Sequence, residues 1–295
     1  MLMGVIGAGK WGEALAFAMS EKNEVIITSQ SPRDWDNFCS LDEVLECEYL
    51  IITVPTQKIS QWLSEKFVFK NQKILVASKG IESSSGRFLN DIYSEHIPSE
   101  NLAFLSGPSF AVEVKEKLPT ALVISSTNIE LSQKFASFFP SFIRTYVSDD
   151  VIGAEIAGAY KNVIAIAAGI CRGLNLGQNA AASLIARGLV EMQRFGRAYG
   201  AKDDTFLGLS GAGDLFLTAS SELSRNYRVG LGLASGKNKE QVCADIGEVS
   251  EGIGTAYALK NISDKESLYL PIASEVYEIL EGKSPRQSLK DLISR

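Results

Sequence analysis

"LMGVIGAGKWGEALAFAMSEK", Leu2 to Lys22, is the stretch whose reading decides the fold. Leu2 to Gly7 is a short apolar run closed by glycine, the pattern of a buried parallel strand. From Lys10 to Lys22 the spacing is helical, with Trp11, Leu15, Ala18 and Met19 on one face. Between them lies "GAGKWG", which sets Gly7, Gly9 and Gly12 in G-x-G-x-x-G order. Glycine is common, so the pattern alone is weak. Here it follows a strand and opens a helix, which is the context a dinucleotide turn requires. Gly7 permits the tight turn, Gly9 lets the backbone approach a pyrophosphate, and Gly12 lets the helix pack on the strand. The first N–H groups of that helix, and its dipole, then face the phosphates. The alternative is a glycine-rich turn in some other doubly wound protein.

Working outward, the first half alternates strands and helices. Strands are expected at Glu24 to Thr28, Glu48 to Pro55, Lys73 to Ser78, Leu102 to Ser106, Ala121 to Ser126 and Ile143 to Ser148. Helices are expected at "ISQWLSEKF" and "IELSQKFASFF". This order implies a mainly parallel sheet covered on both faces. The end of the second strand reports on the dinucleotide. An acidic residue there suits a free ribose 2′-hydroxyl. This chain reads "TSQSPRDW", so Ser29, Ser31 and Arg33 suit a 2′-phosphate. NADP(H) is the expected preference, with NAD(H) possible because Asp34 and Asp36 lie close by and Arg33 can equally face solvent.

After Asp150 the strand-like runs disappear. "AEIAGAYKNVIAIAAGICRGL", "NAAASLIARGLVEMQRFGRAYG" and "ASEVYEILEG" read as helices, two of them rich in alanine and glycine. The division expected is residues 1–150 and 151–295, an α/β domain followed by an all-helical one that packs small faces closely. The 295 residues, 45% hydrophobic, suffice for two cores. A net charge of −6 does not favour nucleic acid or an anionic membrane surface. No apolar run approaches the ~20 residues that span a bilayer. The start of the sequence enters a strand without a basic-then-apolar leader. Cys39, Cys47, Cys171 and Cys243 have no CxxC or metal-like spacing, so the expectation is a reduced, cytoplasmic chain without a metal. The single histidine, His96, precedes Ile97-Pro98 in a loop, so lysine becomes the candidate for moving protons.

Ligands of open α/β sheets bind beyond the carboxyl ends of the strands. "VPTQK", "SKGIE" and "SGPSFAVEV" fall at those ends and carry Lys79, Gly107 and Ser109. Each alone is an ordinary turn composition. Together, on the rim that holds Gly7 and Gly9, they point to one pocket. In the second half, Lys161 and Asn162 interrupt an apolar helix. The ammonium either sits at the helix edge and reaches water or occupies a dry pocket. Its helical neighbours Ala157, Gly158, Ile164 and Ala165 are mostly tiny, which leaves space for a ligand and little water. Desolvation should then depress its pKa, and a nearby anion should oppose that. Asp214 ends the glycine-rich loop of "GLSGAGDLFLT" and opens a helix, as a first-turn carboxylate or a functional one. Ser224-Arg225-Asn226 places a guanidinium beside an amide and a hydroxyl, which suits a phosphate, or is a solvated loop.

The stretches "GVIGAGKWGEALA", "VASKGIE", "LSGPSFAVEV", "LPTA", "YKNVIAIAAGI", "GLSGAGDLFLT", "SRNYRVG", "EVSEG" and "LPI", in that order and over most of the chain, resemble the NAD(P)-dependent glycerol-3-phosphate dehydrogenases, most of all the bacterial biosynthetic type. The resemblance implies an N-terminal Rossmann-like domain and a helical domain like the C-terminal domain of 6-phosphogluconate dehydrogenase, usually in a homodimer. It implies reversible reduction of dihydroxyacetone phosphate to sn-glycerol 3-phosphate for phospholipid synthesis. It makes Lys161 the proton donor and acceptor. It places substrate contacts on Lys79, Gly107, Ser109, Lys161, Asp214, Ser224, Arg225 and Asn226. Cofactor contacts fall on the glycine turn, Trp11, Lys79, Ala111, Arg225, Val249 and Glu251. Asn162 and Asp214 are expected to orient Lys161 and the substrate hydroxyl. Two features depart from the family: Lys10 stands where a small polar residue is usual, and the second strand ends in "TSQSPR", where family members often show an aromatic and then an arginine or histidine. A related hydroxyacid or ketone reductase, and a non-catalytic nucleotide sensor, are the competing readings.

Overall fold

β1 (Leu2–Ile6) is buried at every position after its first, and it pairs in parallel with β2 (Glu24–Thr28) on one side and β3 (Tyr49–Ile52) on the other. The computed structural model describes residues 1–247 and 250–294. The sheet continues through β4 (Lys73–Val76), β5 (Leu102–Ser106), β6 (Thr120–Ser125) and β7 (Ile143–Ser148), in the order β2-β1-β3-β4-β5-β6-β7. Strands buried on both faces need continuous apolar sequence, and "YLII" of β3 is buried throughout. One pairing, β5 with β6, is antiparallel. A parallel return needs a crossover long enough to recross the sheet. Residues 107–119 hold only a five-residue helix, and β6 runs back instead.

The chain divides into two compact units, Met1–Lys79 with Asn90–Ala154, and Gly80–Leu89 with Glu155–Arg295. The first half carries α1 (Lys10–Ser20), α2 (Leu41–Leu45), α3 (Ile59–Lys66), α4 (Leu89–Ser94), α5 (Ala111–Lys115) and α6 (Ile129–Phe138). Leu15, Ala18 and Met19 of α1 are fully buried and Trp11 packs partly buried on the same core. The helices α2, α4 and α5 were not expected from periodicity, because five or six residues are too few to display it. The first of them left a signal: Ser40 and Glu43 form a capping box.

The second half is helical: α7 (Val151–Gly173), α8 (Gly177–Ala198), α9 (Asp203–Leu207), α10 (Asp214–Ala219), α11 (Arg225–Ala234), α12 (Lys239–Ile246), α13 (Glu251–Glu266), α14 (Pro271–Leu280) and α15 (Pro285–Ser294). α7 corrects one expectation. By length and composition it is apolar enough to cross a bilayer, but its apolar window is 83% buried inside the protein. A helix apolar on all sides is a core helix when other helices surround it. Glycines make that possible. A Cβ on Gly169 would lie 2.0 Å from the Tyr227 carbonyl, and one on Gly230 2.0 Å from that of Ile166, so α7 and α11 cross backbone to backbone.

The rotation of α7 about its own axis is pinned beside Lys161. The Tyr160 hydroxyl donates to Glu191 of α8 at 2.7 Å. Glu191 also accepts the Ile272 and Ala273 N–H groups, each at 2.9 Å, which caps the start of α14. Burial raises the pKa of the Glu191 carboxyl, and burial with the neighbouring carboxylate pushes the Tyr160 phenol well up.

Candidate active site

In the first unit, β1 lies between β2 and β3, so the chain leaves its carboxyl end toward one side and returns on the other. That is a topological switch point, where doubly wound sheets bind ligands. Gly7 stands there with φ +111°, a conformation that a side chain would strain. Its N–H donates to the Thr28 carbonyl at 2.8 Å. Gly12 is packed so closely that a Cβ would lie 1.8 Å from the Gly7 carbonyl oxygen. Gly9 is the reverse case: a Cβ there would meet nothing within 4 Å. That open space lies at the N-terminus of the eleven-residue α1, and it fits a pyrophosphate approaching the backbone. Lys10 is exposed at the first position of α1, and Trp11 is half-buried, its indole N–H donating to the Ala77 carbonyl at 3.2 Å.

The rim loops expected to share a pocket are tied to one another. Ser78 donates to the Val54 carbonyl at 2.5 Å and Thr56 to the Lys79 carbonyl at 3.1 Å. Lys79 Nζ and the Ser109 hydroxyl both donate to the Gly107 carbonyl, at 3.3 and 3.2 Å. Ala111 opens α5 and packs half-buried on the core of this unit. At the end of β2 the Ser29 hydroxyl donates to the Ser31 carbonyl at 2.7 Å, closing a turn. Ser31 and Arg33 are exposed beyond it.

In the second unit, Lys161 is only 8% exposed, so its head does not reach open water. Its Nζ donates to Asp214 Oδ1 at 2.6 Å and to Thr218 Oγ1 at 2.9 Å. Thr218 in turn donates to Asp214 Oδ1 at 3.3 Å. Asp214, 1% exposed, is the first residue of α10, and Thr218 lies one turn later on the same face. The carboxylate balances the ammonium, which a buried charge requires. Thr218 was missed in the sequence. Its signal was the spacing of four from Asp214 along a helix. The Asn162 amide, by contrast, donates to the Gly158 carbonyl of its own helix at 3.3 Å.

Ser224 is the N-cap of α11, its hydroxyl accepting the Tyr227 N–H at 3.2 Å. Arg225 is exposed at the first position of that helix. Asn226 is 8% exposed, and its Oδ1 accepts the Gly252 N–H at 3.0 Å and the Ser250 hydroxyl at 2.5 Å. A backbone N–H only donates, so the atom it meets must be the amide oxygen. The Asn226 amino group therefore points the other way, with no acceptor among the described residues. Gly252 is packed against both Asn226 and the Asn162 carbonyl, where a Cβ would lie 2.5 and 2.9 Å away. The stretches around Asn162, Asn226 and Gly252 thus meet at one point. Glu251 opens α13 half-buried, and Val249 lies outside the described residues.

A dinucleotide turn at a switch point, with a buried amine held ready on a helical unit, defines a nicotinamide-dependent dehydrogenase. The C-terminal description of the NAD-dependent glycerol-3-phosphate dehydrogenases matches residues 150–290, and the N-terminal description residues 36–132. A Sulfurimonas denitrificans protein named glycerol-3-phosphate dehydrogenase [NAD(P)+] is 68% identical over 99% of each chain. One of the same name from Nitratiruptor is 59% identical over 100% of this chain and 99% of its own. The crystal structure of glycerol-3-phosphate dehydrogenase from Coxiella burnetii superposes with a TM-score of 0.93 at 32% identity, covering 100% of this chain and 99% of that one. The chain belongs to the NAD-dependent glycerol-3-phosphate dehydrogenase family.

Proposed function

We propose that this protein reduces dihydroxyacetone phosphate reversibly to sn-glycerol 3-phosphate, with Lys161 as the general acid and base. The observation that carries the reading is the Lys161 ammonium, buried, paired to Asp214 and bonded to Thr218. A reduced nicotinamide held at the glycine turn would supply the hydride for the ketone carbon. The ketone oxygen then gathers negative charge. The Lys161 ammonium stabilises that charge and delivers a proton from Nζ to the oxygen; in the reverse direction Nζ takes it back. Asp214 and Thr218 hold the amine in place, and a nucleotide sensor would need none of the three. Gly7, Gly9, Lys10, Trp11 and Gly12 would hold the cofactor, with Lys79, Ala111, Arg225 and Glu251 contributing. NADPH consumption on adding dihydroxyacetone phosphate tests the reading. No turnover with that ketone, but turnover with a carboxylate-bearing oxo-acid, would replace it with the hydroxyacid alternative.

Lys79, Gly107, Ser109, Ser224, Arg225 and Asn226 complete the proposed substrate contacts, with Arg225 and the outward amino group of Asn226 on the phosphate. Binding that remote group positions the reacting carbon. Asn226→Asp keeps the acceptor for Ser250 and Gly252 but replaces the donor with a negative charge. KM for dihydroxyacetone phosphate should rise ~10–100-fold, the worth of a charge-assisted hydrogen bond, as steady-state kinetics will read. An unchanged KM would remove Asn226 from the phosphate site.

The preferred cofactor in this reading is NADP(H), its 2′-phosphate met by Ser31 and the exposed guanidinium of Arg33. Arg33→Ala should lower kcat/KM for NADPH about tenfold or more and leave NADH nearly unaffected. A wild-type enzyme that clearly favours NADH would refute the assignment. A homodimer in the cytoplasm, supplying glycerol 3-phosphate to glycerophospholipid synthesis, completes the proposal. It rests on likeness to the family.

A further inference from the structure

Thr53 belongs to none of the contacts above, yet its hydroxyl fills the notch that the dinucleotide glycines leave open. It follows β3, across the switch point from Gly7. The backbone register is set by the Thr53 N–H, which donates to the Ile6 carbonyl at 2.8 Å. The hydroxyl is then shared between two carbonyls, Gly7 at 3.0 Å and Ile6 at 3.2 Å. A Cβ on Gly7 would lie 2.4 Å from that hydroxyl, and one on Gly12 2.7 Å from it. Both glycines must therefore lack side chains for the hydroxyl to be where it is. The Gly7 carbonyl is held from two sides, by Thr53 Oγ1 and by the backbone of Gly12, where an added Cβ would sit 1.8 Å away.

From this we infer that Thr53 is a positioning residue for the cofactor. Its hydroxyl locks the Gly7–Ala8 peptide, and so the direction in which the following N–H groups of the turn face the pyrophosphate. A peptide plane moves as a unit. Without the hydroxyl, the Gly7 carbonyl has lost its one hydrogen bond among the described residues, and the turn can rock about it. Preorganised donors bind an anion better than donors that must first be ordered. The pyrophosphate is common to NADH and NADPH, so the effect must be equal for both. That separates Thr53 from Arg33, whose effect is confined to NADPH.

The inference rests on the dinucleotide reading of the turn but not on the identity of the ketone, so its test reads binding alone. NADH and NADPH are titrated into the whole protein, with calorimetry giving Kd. Thr53→Val removes the hydroxyl and keeps the shape; Thr53→Ser keeps the hydroxyl. Thr53→Val should weaken both dinucleotides by ~3–10-fold, the range for one neutral hydrogen bond, and Thr53→Ser should restore binding to within about twofold. Where Thr53→Val does not fold, Thr53→Ala takes its place. In turnover, KM for either dinucleotide should rise while KM for the ketone stays put, a split that general destabilisation would not produce. Equal weakening in the valine and serine variants, wild-type binding in the valine variant, or an effect on only one dinucleotide would overturn the inference. A wild-type protein that binds dinucleotides but leaves dihydroxyacetone phosphate untouched would sink the proposed reaction and leave this inference standing.

Discussion

Lys161→Ala should lower kcat by ~10²–10⁴-fold, the range for loss of a positioned acid or base, while the dinucleotide still binds. The ammonium does two things that alanine does not. In the proposed reaction it would sit where charge develops on the ketone oxygen, and it would carry the proton that the alkoxide needs. Both act in the transition state more than in the ground state, so the loss belongs in kcat rather than in KM. The dinucleotide turn lies in the first unit and Lys161 in the second, so cofactor binding should survive. Single-turnover kinetics with saturating NADPH read the step directly. A small primary amine added to the variant should recover part of the rate, because it can enter the vacated space and supply the same proton. Wild-type turnover by Lys161→Ala would remove Lys161 from the chemistry.

The second large effect is on stability. Asp214→Ala should lower the unfolding free energy by ~3–5 kcal/mol, because it strands a buried ammonium without its counter-charge. Lys161 is 8% exposed and Asp214 1%, so water cannot replace the carboxylate cheaply. The desolvation cost of the pair is met only while both members are present. The control is the double variant Lys161→Met with Asp214→Leu. Replacing both charges with apolar groups should recover most of the loss, since a buried pair often contributes little net stability. That variant should be stable and inactive. Urea unfolding of the wild type, Lys161→Met, Asp214→Leu and the double variant completes the cycle, with Asp214→Ala measured beside them. If Asp214→Ala costs under about 1 kcal/mol, the pair behaves like a surface ion pair, and its burial does not matter in the way argued.

The pair also shows why tertiary structure was needed. Periodicity placed Lys161 inside an apolar helix, and its small neighbours suggested a dry site. What shares that site is a matter of how α7 and α10 cross, and no local pattern encodes it. Thr218 had a legible spacing from Asp214, but a spacing becomes a contact only once the facing helix is known. Asn162 makes the opposite case: adjacency to Lys161 suggested a shared task, and the helix turns its amide toward Gly158 instead. By sequence, Ser224-Arg225-Asn226 reads as a phosphate site or a solvated loop, and only the fold shows that Ser224 caps α11.

By itself the sequence determined the alternation of strands and helices, the glycine turn and its three separate jobs, and the change to helix after Asp150. These are local properties: hydrophobic period, turn chemistry and backbone freedom act over a few residues and survive in a single string. Only the folded chain decided that β6 runs antiparallel, that the apolar α7 is a core helix rather than a span, and that Asn226 presents its amino group. It also decided that Lys161 has a buried counter-charge and that Thr53 closes on Gly7. Each of those depends on which distant backbones approach within a few ångströms. That is set by packing across the whole unit, where excluded volume and unmet hydrogen bonds leave one arrangement.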